Sequence, residues 1–339
     1  MAKETRWGFE LEPGDDALHP SNSPGWWEWW YFDAHFDNGY SMGGTFHFGS
    51  PRPPANPDAR FIEIALYDPQ GNKRTVRKRY PKEQCWASEE KCKVVIGPNT
   101  YEGDLRKYHL FFQEGEQGCD LTYESLTDGF SPRGPTSSVG QAVVAWVVPQ
   151  ARAKVTGTIV WDGRVIEVTG VGYHDHNWSD APMSGAGDSA DLLAMMGLVA
   201  ADWTLVCSGG RYRRKRNHDP YGVMYAFKKE KLVATSERGG GVGSDYTKGE
   251  TGIEYPRAYR LSWNEPGLVE GAIDFKVKQV IDFMDLHRRL KPFQRWFAET
   301  YVGHPAYFRY RVEYLVDLTI VGEQVTAKGT TWGEHHMFV

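Results

Sequence analysis

Short apolar runs recur along almost the whole chain, separated by turns rich in Gly, Pro, Asn and Asp. The interval between runs is roughly 8 to 15 residues, a spacing typical of antiparallel strands joined by turns. Stretches long enough for extended amphipathic helices are scarce. Because closure of a sheet removes its exposed edges, a chain so rich in strands is best accommodated by barrels. The pattern therefore predicts an all-β fold of two antiparallel β-barrels or closely packed sheets.

The predicted strands fall into two groups. Those of the first half are residues 60–67, 108–112, 121–126, 141–148 and 154–161. Those of the second half are residues 204–207, 222–227, 231–235, 257–263, 273–283, 307–318 and 324–331. The small residues of segment 184–190 indicate a loop between the two groups. This predicts an N-terminal domain of residues 1–188 and a C-terminal domain of residues 189–339.

Four local features complete this organisation. Asp162-Gly163 is a favoured pair for a tight hairpin, so residues 159–161 and 164–169 should pair across it. Residues 293–299, which follow a proline, predict one short helix. The glycine-rich segment 239–243 is interpreted as a flexible loop, and the basic run 211–216 as a solvated turn.

Composition narrows the class of partner. The 339 residues carry a net charge of −5, which supplies no field to attract nucleic acid, so a small molecule is the expected partner. No apolar window reaches the ~18 residues of a membrane-spanning helix, and the N-terminus shows no secretory signal, so we expect a cytoplasmic protein. The four cysteines lack metal-site or disulfide-scaffold spacing and are expected to be mostly free thiols.

Aromatic residues make up 14% of the chain, and residues 26–33 place Glu28 in a run of six of them. In an extended strand, Glu28 would share one face with Trp30 and Phe32. The other face, which includes Tyr31, should become more polar as the strand emerges into solvent. Desolvation among aromatic rings would raise the pKa of Glu28 and favour its protonated form. The alternative is a structural carboxylate held by backbone N–H groups or an arginine.

A second segment, residues 170–178, has the sequence Gly-Val-Gly-Tyr-His-Asp-His-Asn-Trp, and its residues 173–178 should lie just past a strand. Alternation puts His174 and His176 on one side, and Tyr173, Asp175 and Asn177 on the other. Two histidines at this spacing can chelate zinc or iron, but a third ligand is required, and no recognised zinc motif supplies one. We therefore expect no metal. A hydrogen-bonded structural corner is the alternative to a catalytic role.

Other catalytic motifs are missing from the sequence. It contains no Gly-x-Ser-x-Gly nucleophile elbow and no glycine-rich dinucleotide or phosphate-binding fingerprint. We accordingly expect no cofactor.

Segments 27–35 and 170–178 resemble the two signature segments of the carotenoid 1,2-hydratase family, which includes hydroxyneurosporene synthase and AttH-like proteins. The resemblance extends to residues 181–183 and 303–310. Ser179 stands where the family usually has Gly, and residues 183–201 are unusually rich in small residues. The resemblance implies a fold of two lipocalin-like β-barrel domains packed together, with few short helices and a ligand cavity. Some members of the family hydrate prenyl or polyene C=C bonds, whereas other members are cofactor-free cyclases.

Hydration of a trisubstituted alkene needs a carboxylic acid that stays neutral near pH 7 and aromatic faces that stabilise the resulting cation. Asp175 and Glu28 are the two candidate acids, and His174 or His176 could orient and deprotonate the attacking water. The candidate catalytic residues are Asp175, Glu28, His174, His176 and Tyr173. The candidate substrate-binding residues are Trp27, Trp29, Trp30, Tyr31, Asn177 and Trp178.

Two alternatives remain open at this point. A pericyclic or terpenoid cyclase would use the same cavity to fold a polyene without adding water. A carrier of the lipocalin type would need only the aromatic cavity, and its acidic residues would be structural.

Overall fold

The computed structural model describes residues 3–5, 8–50, 56–131, 137–139, 142–181, 189–212, 217–249, 252–285 and 306–337. The chain divides into two compact units, Met1–Gly187 and Asp188–Val339. Both are built from antiparallel strands, which confirms the predicted all-β, lipocalin-like fold class. Short 3-10 turns occur at Pro13–Asp16 and Lys82–Gln84.

The N-terminal unit contains a 15-stranded sheet. Its strands are β1 (Lys3–Thr5), β2 (Gly8–Glu10), β3 (Trp27–Phe36), β4 (Ser41–Ser50), β5 (Asn56–Tyr67), β6 (Lys73–Arg79), β7 (Cys85–Ala87), β8 (Lys93–Ile96), β9 (Asn99–Gly103), β10 (Lys107–Glu114), β11 (Gln117–Ser125), β12 (Phe130–Ser131), β13 (Ser137–Val139), β14 (Ala142–Trp161) and β15 (Arg164–Ser179). The main path runs in the order β6-β5-β4-β3-β15-β14-β11-β10-β9-β8-β7. Strand β3 therefore lies between β4 and β15.

The C-terminal unit is a closed eight-stranded barrel. Its strands are β16 (Ser189–Ala200), β17 (Trp203–Tyr212), β18 (Pro220–Lys228), β19 (Lys231–Thr247), β20 (Tyr255–Glu265), β21 (Val269–Asp285), β22 (Ala306–Ile320) and β23 (Glu323–Met337). Strand β16 pairs with both β17 and β23, so the described barrel strands form a closed ring. Closure pairs the backbone groups that would otherwise lie on exposed sheet edges.

The hairpin of β14 and β15 confirms the sequence-based prediction. Trp161 pairs with Arg164, and the two intervening residues, Asp162 and Gly163, have φ values of 49° and 76°. Both central positions therefore take the left-handed conformation that an Asp-Gly turn tolerates. Strand β15 then continues to Ser179, so the prediction that residues 173–178 lie past a strand was wrong.

Two further expectations for the C-terminal unit were wrong. The four glycines of segment 239–243 lie within β19, and three of them, Gly240, Gly241 and Gly243, are paired across the ladder with β20. Small residues allow close backbone approach there: a Cβ on Gly241 would lie 2.6 Å from the backbone nitrogen of Gly210. Strand β16 was not predicted, because Leu, Ala and Met dominate it and these residues carry little β-strand preference.

Several sequence-based expectations fall outside the described residues. They are the short helix at 293–299, most of the loop at 184–190 and the basic positions 213–216. Ser189 and Ala190, the last two residues of the expected loop, already belong to β16. The four cysteines are free thiols, as expected. Among the described residues, no helix is long and apolar enough to span a bilayer.

Candidate functional site

Strands β3 and β15 carry both signature segments and pair antiparallel, with Tyr31 opposite Asp175 and Glu28 opposite Trp178. Because successive side chains leave a strand on opposite faces, the polar residues of the two strands separate into two groups. One group faces the hydrophobic core that contains Phe32. We call it the histidine–carboxylate cluster; its members are Asp16, His19, Glu28, His174 and His176. The other group is the Asp175 cluster; its members are Tyr31, Asp33, Trp146, Tyr173, Asp175 and Asn177.

Glu28 is fully buried in the histidine–carboxylate cluster, and several donors surround its carboxylate. The backbone N–H of His19 donates to both carboxylate oxygens, at 3.0 and 3.1 Å. His176 Nε2 lies 2.8 Å from Oε1, and His19 Nδ1 lies 3.2 Å from the same oxygen. One backbone N–H group and two imidazoles thus hold Glu28. This is close to the arrangement expected of a structural carboxylate, with imidazoles in place of an arginine.

Asp16 enters the cluster from the 3-10 turn that precedes β3 and is also fully buried. The Tyr108 hydroxyl donates to its Oδ2 at 2.6 Å, and His174 Nε2 lies 3.1 Å from the same oxygen. His174 Nδ1 faces the Tyr31 carbonyl oxygen at 2.7 Å, which can only accept a hydrogen bond. With Asp16 ionised, both nitrogens of His174 face hydrogen-bond acceptors.

The protonation of the cluster overturns one expectation. Burial alone would raise the pKa of Glu28, but hydrogen bonds with His176 and His19 outweigh it and hold the pKa below its ordinary value. Burial likewise opposes ionisation of Asp16, yet the charge and hydrogen bond of His174 lower its pKa. His176 shows the matching effect: burial disfavours its cation, but Asp16 and Glu28 raise its pKa. The prediction of a protonated Glu28 was therefore wrong.

Two of the candidate tryptophans pack against this cluster. The Trp30 ring stacks on His176 with 4.4 Å between centroids, and its Nε1–H donates to the Asp16 carbonyl at 3.1 Å. Trp178 stacks on His19 at 3.7 Å, with the two ring planes only 2° from parallel. These contacts fix both imidazole planes. Trp30 and Trp178 therefore lie on the same face of the sheet as Glu28.

The Asp175 cluster surrounds a carboxylate that is 7% exposed. Trp146 Nε1 and the Tyr173 hydroxyl both donate to Asp175 Oδ2, at 3.1 and 3.0 Å. The amide of Asn177 donates to Oδ1 at 2.9 Å. Burial raises the pKa of Tyr173 well above its ordinary value, so Tyr173 stays a neutral donor. Three neutral donors thus converge on one carboxylate within an aromatic setting.

Aromatic side chains extend this cluster along β3. The Tyr31 hydroxyl donates to Asp33 Oδ2 at 3.1 Å, and the Tyr31 and Tyr173 rings meet edge to face at 6.2 Å. Trp27 and Trp29 stack at 4.3 Å. Trp27, Tyr31 and Asp33 are buried, whereas His35 is half-buried and Asp37, just past β3, is exposed, so this face reaches solvent only at its end, as expected.

The structure brings the predicted residues together in two sets. Asp175, Tyr173, Asn177, Tyr31, Trp27 and Trp29 share one face of the sheet. Glu28, His174, His176, Trp30 and Trp178 share the other. The proposed cooperation of Asp175 as acid with His174 or His176 as base would require both faces at once, and the strand separates them. Sequence analysis also missed Asp16, His19, Asp33 and Trp146; Asp16 and His19 precede β3 in a segment without hydrophobic periodicity.

The C-terminal barrel has its own buried polar group. His335 Nδ1 lies 2.8 Å from the Tyr259 hydroxyl and 3.2 Å from the Tyr310 hydroxyl. Burial lowers the pKa of His335 to about 3, so the imidazole is neutral at physiological pH. A separate depression of about 1070 Å³ is lined by a mixture of charged residues, including Arg257 and Asp274, and apolar ones such as Phe275 and Leu315.

No family model and no curated protein matches the sequence. The fold, however, is shared with three solved structures that align over nearly the whole chain. CghA, solved with Sch210972, is 15% identical with a TM-score of 0.64, covering 95% of this chain and 93% of its own. An AttH from Nitrosomonas europaea is 16% identical with a TM-score of 0.66, and the alignment covers 97% of this chain and 98% of that one. Kievitone hydratase from Nectria haematococca is 12% identical with a TM-score of 0.59, and the alignment covers 97% of this chain and 93% of that one.

Proposed function

We propose that this protein is a cofactor-independent hydratase or dehydratase that acts on a C=C bond of a hydrophobic isoprenoid, prenylated or polyene molecule. The observation that supports it is the Asp175 carboxylate, 7% exposed, which accepts three hydrogen bonds beside the Tyr31 and Tyr173 rings. The fold shared with kievitone hydratase also supports it. The sequence resemblance to the carotenoid 1,2-hydratase family points to the same chemistry.

Asp175 is the proposed proton-transfer group. In the hydration direction it would protonate one alkene carbon, and the cation at the other carbon would be stabilised by the faces of neighbouring aromatic rings. A water molecule would then add to the cation and lose a proton. In the reverse direction, the Asp175 carboxylate would take a proton from the carbon next to the cation.

The hydrogen bonds around Asp175 bear on its resting state. Donors that point at a carboxylate favour its ionised form. Trp146, Tyr173 and Asn177 therefore prepare Asp175 to accept a proton, which is the role needed for dehydration. Hydration would instead require the protonated form of Asp175. Glu28 is not part of this mechanism, because its carboxylate faces the opposite side of the sheet, where it contacts His19 and His176.

A cyclase is the second candidate. The shared fold with CghA, which was solved with Sch210972, supports it. Here Tyr173, Trp146 and Asn177 would act as hydrogen-bond donors that orient a folded polyene, and no water would be added.

The test is incubation of the purified protein with prenylated and polyene substrates in ¹⁸O-labelled water, read by mass spectrometry. We expect a product that carries ¹⁸O, and a loss of about 100- to 10,000-fold in rate on Asp175→Asn, the usual contribution of a general acid or base. Asp120→Asn is the matched control, since Asp120 is an exposed carboxylate on β11 paired with His109.

The other outcomes separate the alternatives. A product isomeric with the substrate and free of ¹⁸O would replace the hydratase proposal with the cyclase. Binding without turnover, measured by quenching of tryptophan fluorescence and unchanged in Asp175→Asn, would contradict both enzyme proposals and support a carrier.

A further inference from the structure

We propose that His19, Glu28 and His176 form a binding site for a divalent transition-metal ion, with Zn²⁺ as the expected occupant and Asp16 as the residue that orients His176. This site lies on the face of β15 opposite Asp175, so it is independent of the proposed function. The ligand set of two histidines and one carboxylate is one that zinc uses in proteins.

The geometry of the three donor atoms supports the proposal. His19 Nδ1, Glu28 Oε1 and His176 Nε2 all lie within 4.8 Å of one another. Around a tetrahedral zinc ion, with bonds of about 2.0 to 2.1 Å, donor atoms lie about 3.3 Å apart. Glu28 Oε1 is 3.2 Å from His19 Nδ1 and 2.8 Å from His176 Nε2. These two carboxylate–imidazole distances are therefore within about half an ångström of the separation expected around a bound ion.

Charge balance gives a second reason. Asp16 and Glu28 are two fully buried carboxylates, and the ion pairs they make among the described residues are all with histidines. Buried carboxylates are stable only when positive charge compensates them. A divalent ion supplies two positive charges at once, whereas the alternative requires two buried imidazolium ions.

The contact between Asp16 and His176 gives a third reason. Asp16 Oδ1 and His176 Nδ1 are fully buried and form an ion pair at 3.2 Å, but neither makes a hydrogen bond of good geometry among the described residues. If His176 binds a metal through Nε2, its proton must reside on Nδ1, directly facing Asp16 Oδ1. Histidine ligands of zinc usually donate their second nitrogen to such a carboxylate, which fixes the tautomer and the ring orientation.

A neighbouring set of possible ligands, Asp16, Cys92 and His174, is less suitable. Zinc binds a thiolate, and both burial and the nearby Asp16 charge raise the pKa of the Cys92 thiol well above its ordinary value. All three of these residues are buried. The proposed set instead includes His19, whose side chain is 27% exposed and offers a path from solvent.

The test is isothermal titration of Zn²⁺ into protein prepared without a polyhistidine tag and stripped with EDTA. We expect one ion per chain and at least a tenfold loss of affinity in His19→Ala. Because His19 is partly exposed, this variant should keep the fold, which circular dichroism checks. His109→Ala is the matched control: His109 also contacts a carboxylate, that of Asp120 at 2.7 Å, but both side chains are exposed.

Asp16→Asn tests the orienting role. Loss of such a supporting carboxylate usually weakens zinc binding by about 10- to 100-fold. The visible absorption of Co²⁺ substituted for Zn²⁺ should also change in His19→Ala, since a nitrogen ligand is lost. Absence of stoichiometric binding in the wild type, or equal affinity in wild type and His19→Ala, would overturn the proposal. Asp175→Asn should bind Zn²⁺ like the wild type, which separates this result from the outcome for the proposed function.

Discussion

Asp175 and His176 are adjacent in the chain, yet their carboxylate and imidazole serve two separate polar groups on opposite faces of β15. Asp175 accepts hydrogen bonds from Trp146 and Tyr173 on one face. His176 contacts Glu28 on the other, at 2.8 Å. The strand therefore brings two chemistries into one short segment without allowing them to act on the same molecule. Substitutions at the two positions should consequently have separable effects.

Tyr173→Phe should change the pH dependence of catalysis. The variant removes one of the donors that favour the ionised form of Asp175, so the pKa that governs activity should rise. The lost hydrogen bond should lower the free energy of unfolding by about 1 kcal/mol. The measurement is kcat against pH together with urea unfolding. Tyr123→Phe is the control, because the buried Tyr123 hydroxyl has no hydrogen-bond partner among the residues that the structure describes. Identical pH profiles for Tyr173→Phe and wild type would remove Tyr173 from the mechanism.

In EDTA, the histidine–carboxylate cluster should make stability depend on pH on both sides of neutrality. The pKa of His176 is raised above 6.5, so its contribution is complete below pH 6.5 and is lost as the pH rises through the folded-state pKa. The pKa values of Asp16 and Glu28 are lowered from 3.8 and 4.5, so their contributions are lost as the pH falls below that range. Urea unfolding at a series of pH values measures both limbs.

In the C-terminal barrel, His335 has the reverse effect of His176: its contribution to the free energy of unfolding is lost as the pH falls. Its pKa is lowered from 6.5 to about 3, so the unfolded chain binds a proton that the folded chain rejects as the pH falls below 6.5. The free energy of unfolding should therefore be greatest near pH 6.5. In NMR spectra, the His335 imidazole should show no titration between pH 8 and pH 5. A titration in that range would show that His335 is not the neutral, desolvated group described above.

Gly170→Ala should be far more destabilising than Gly163→Ala. A Cβ on Gly170 would lie 2.1 Å from the backbone oxygen of His35, so β3 and β15 would have to separate. We expect a loss of more than about 2 kcal/mol, typical of severe overpacking. Gly163 has open space around it and only a positive φ of 76°, which costs an alanine about 1 kcal/mol. Thermal unfolding of both variants provides the comparison, and equal losses would contradict the close approach at Gly170.

Local patterns in the sequence predicted much of the fold. The apolar runs marked most of the strands, the Asp162-Gly163 pair marked the hairpin, and period-two alternation placed His174 and His176 on the side of their segment opposite Asp175. These features depend only on neighbouring residues. The burial of both faces of β3 did not follow, because the side chains that cover Tyr31 and Asp33 come from other strands.

The polar site was less predictable than the fold. Asp16 and His19 lie in an irregular segment before β3, where no periodicity shows which way a side chain points. The electrostatics of Glu28 were mispredicted for the same reason: the aromatic neighbours in the sequence suggested desolvation, whereas the two histidines that stabilise its charge come from distant or irregular parts of the chain. Only the tertiary structure places His176 beside Glu28.

The pairing of β15 with β3 also has a consequence for the order of folding. Glu28 and His176 are 148 residues apart in sequence, whereas β14 and β15 are joined by a two-residue turn. Closing a long loop costs more entropy than closing a short one and slows folding. The β14–β15 hairpin should therefore form early, and both polar clusters should be completed only when β3 docks. During synthesis, β3 leaves the ribosome well before β15. The edge of β3 that pairs with β15 therefore stays unpaired until β15 has been synthesised.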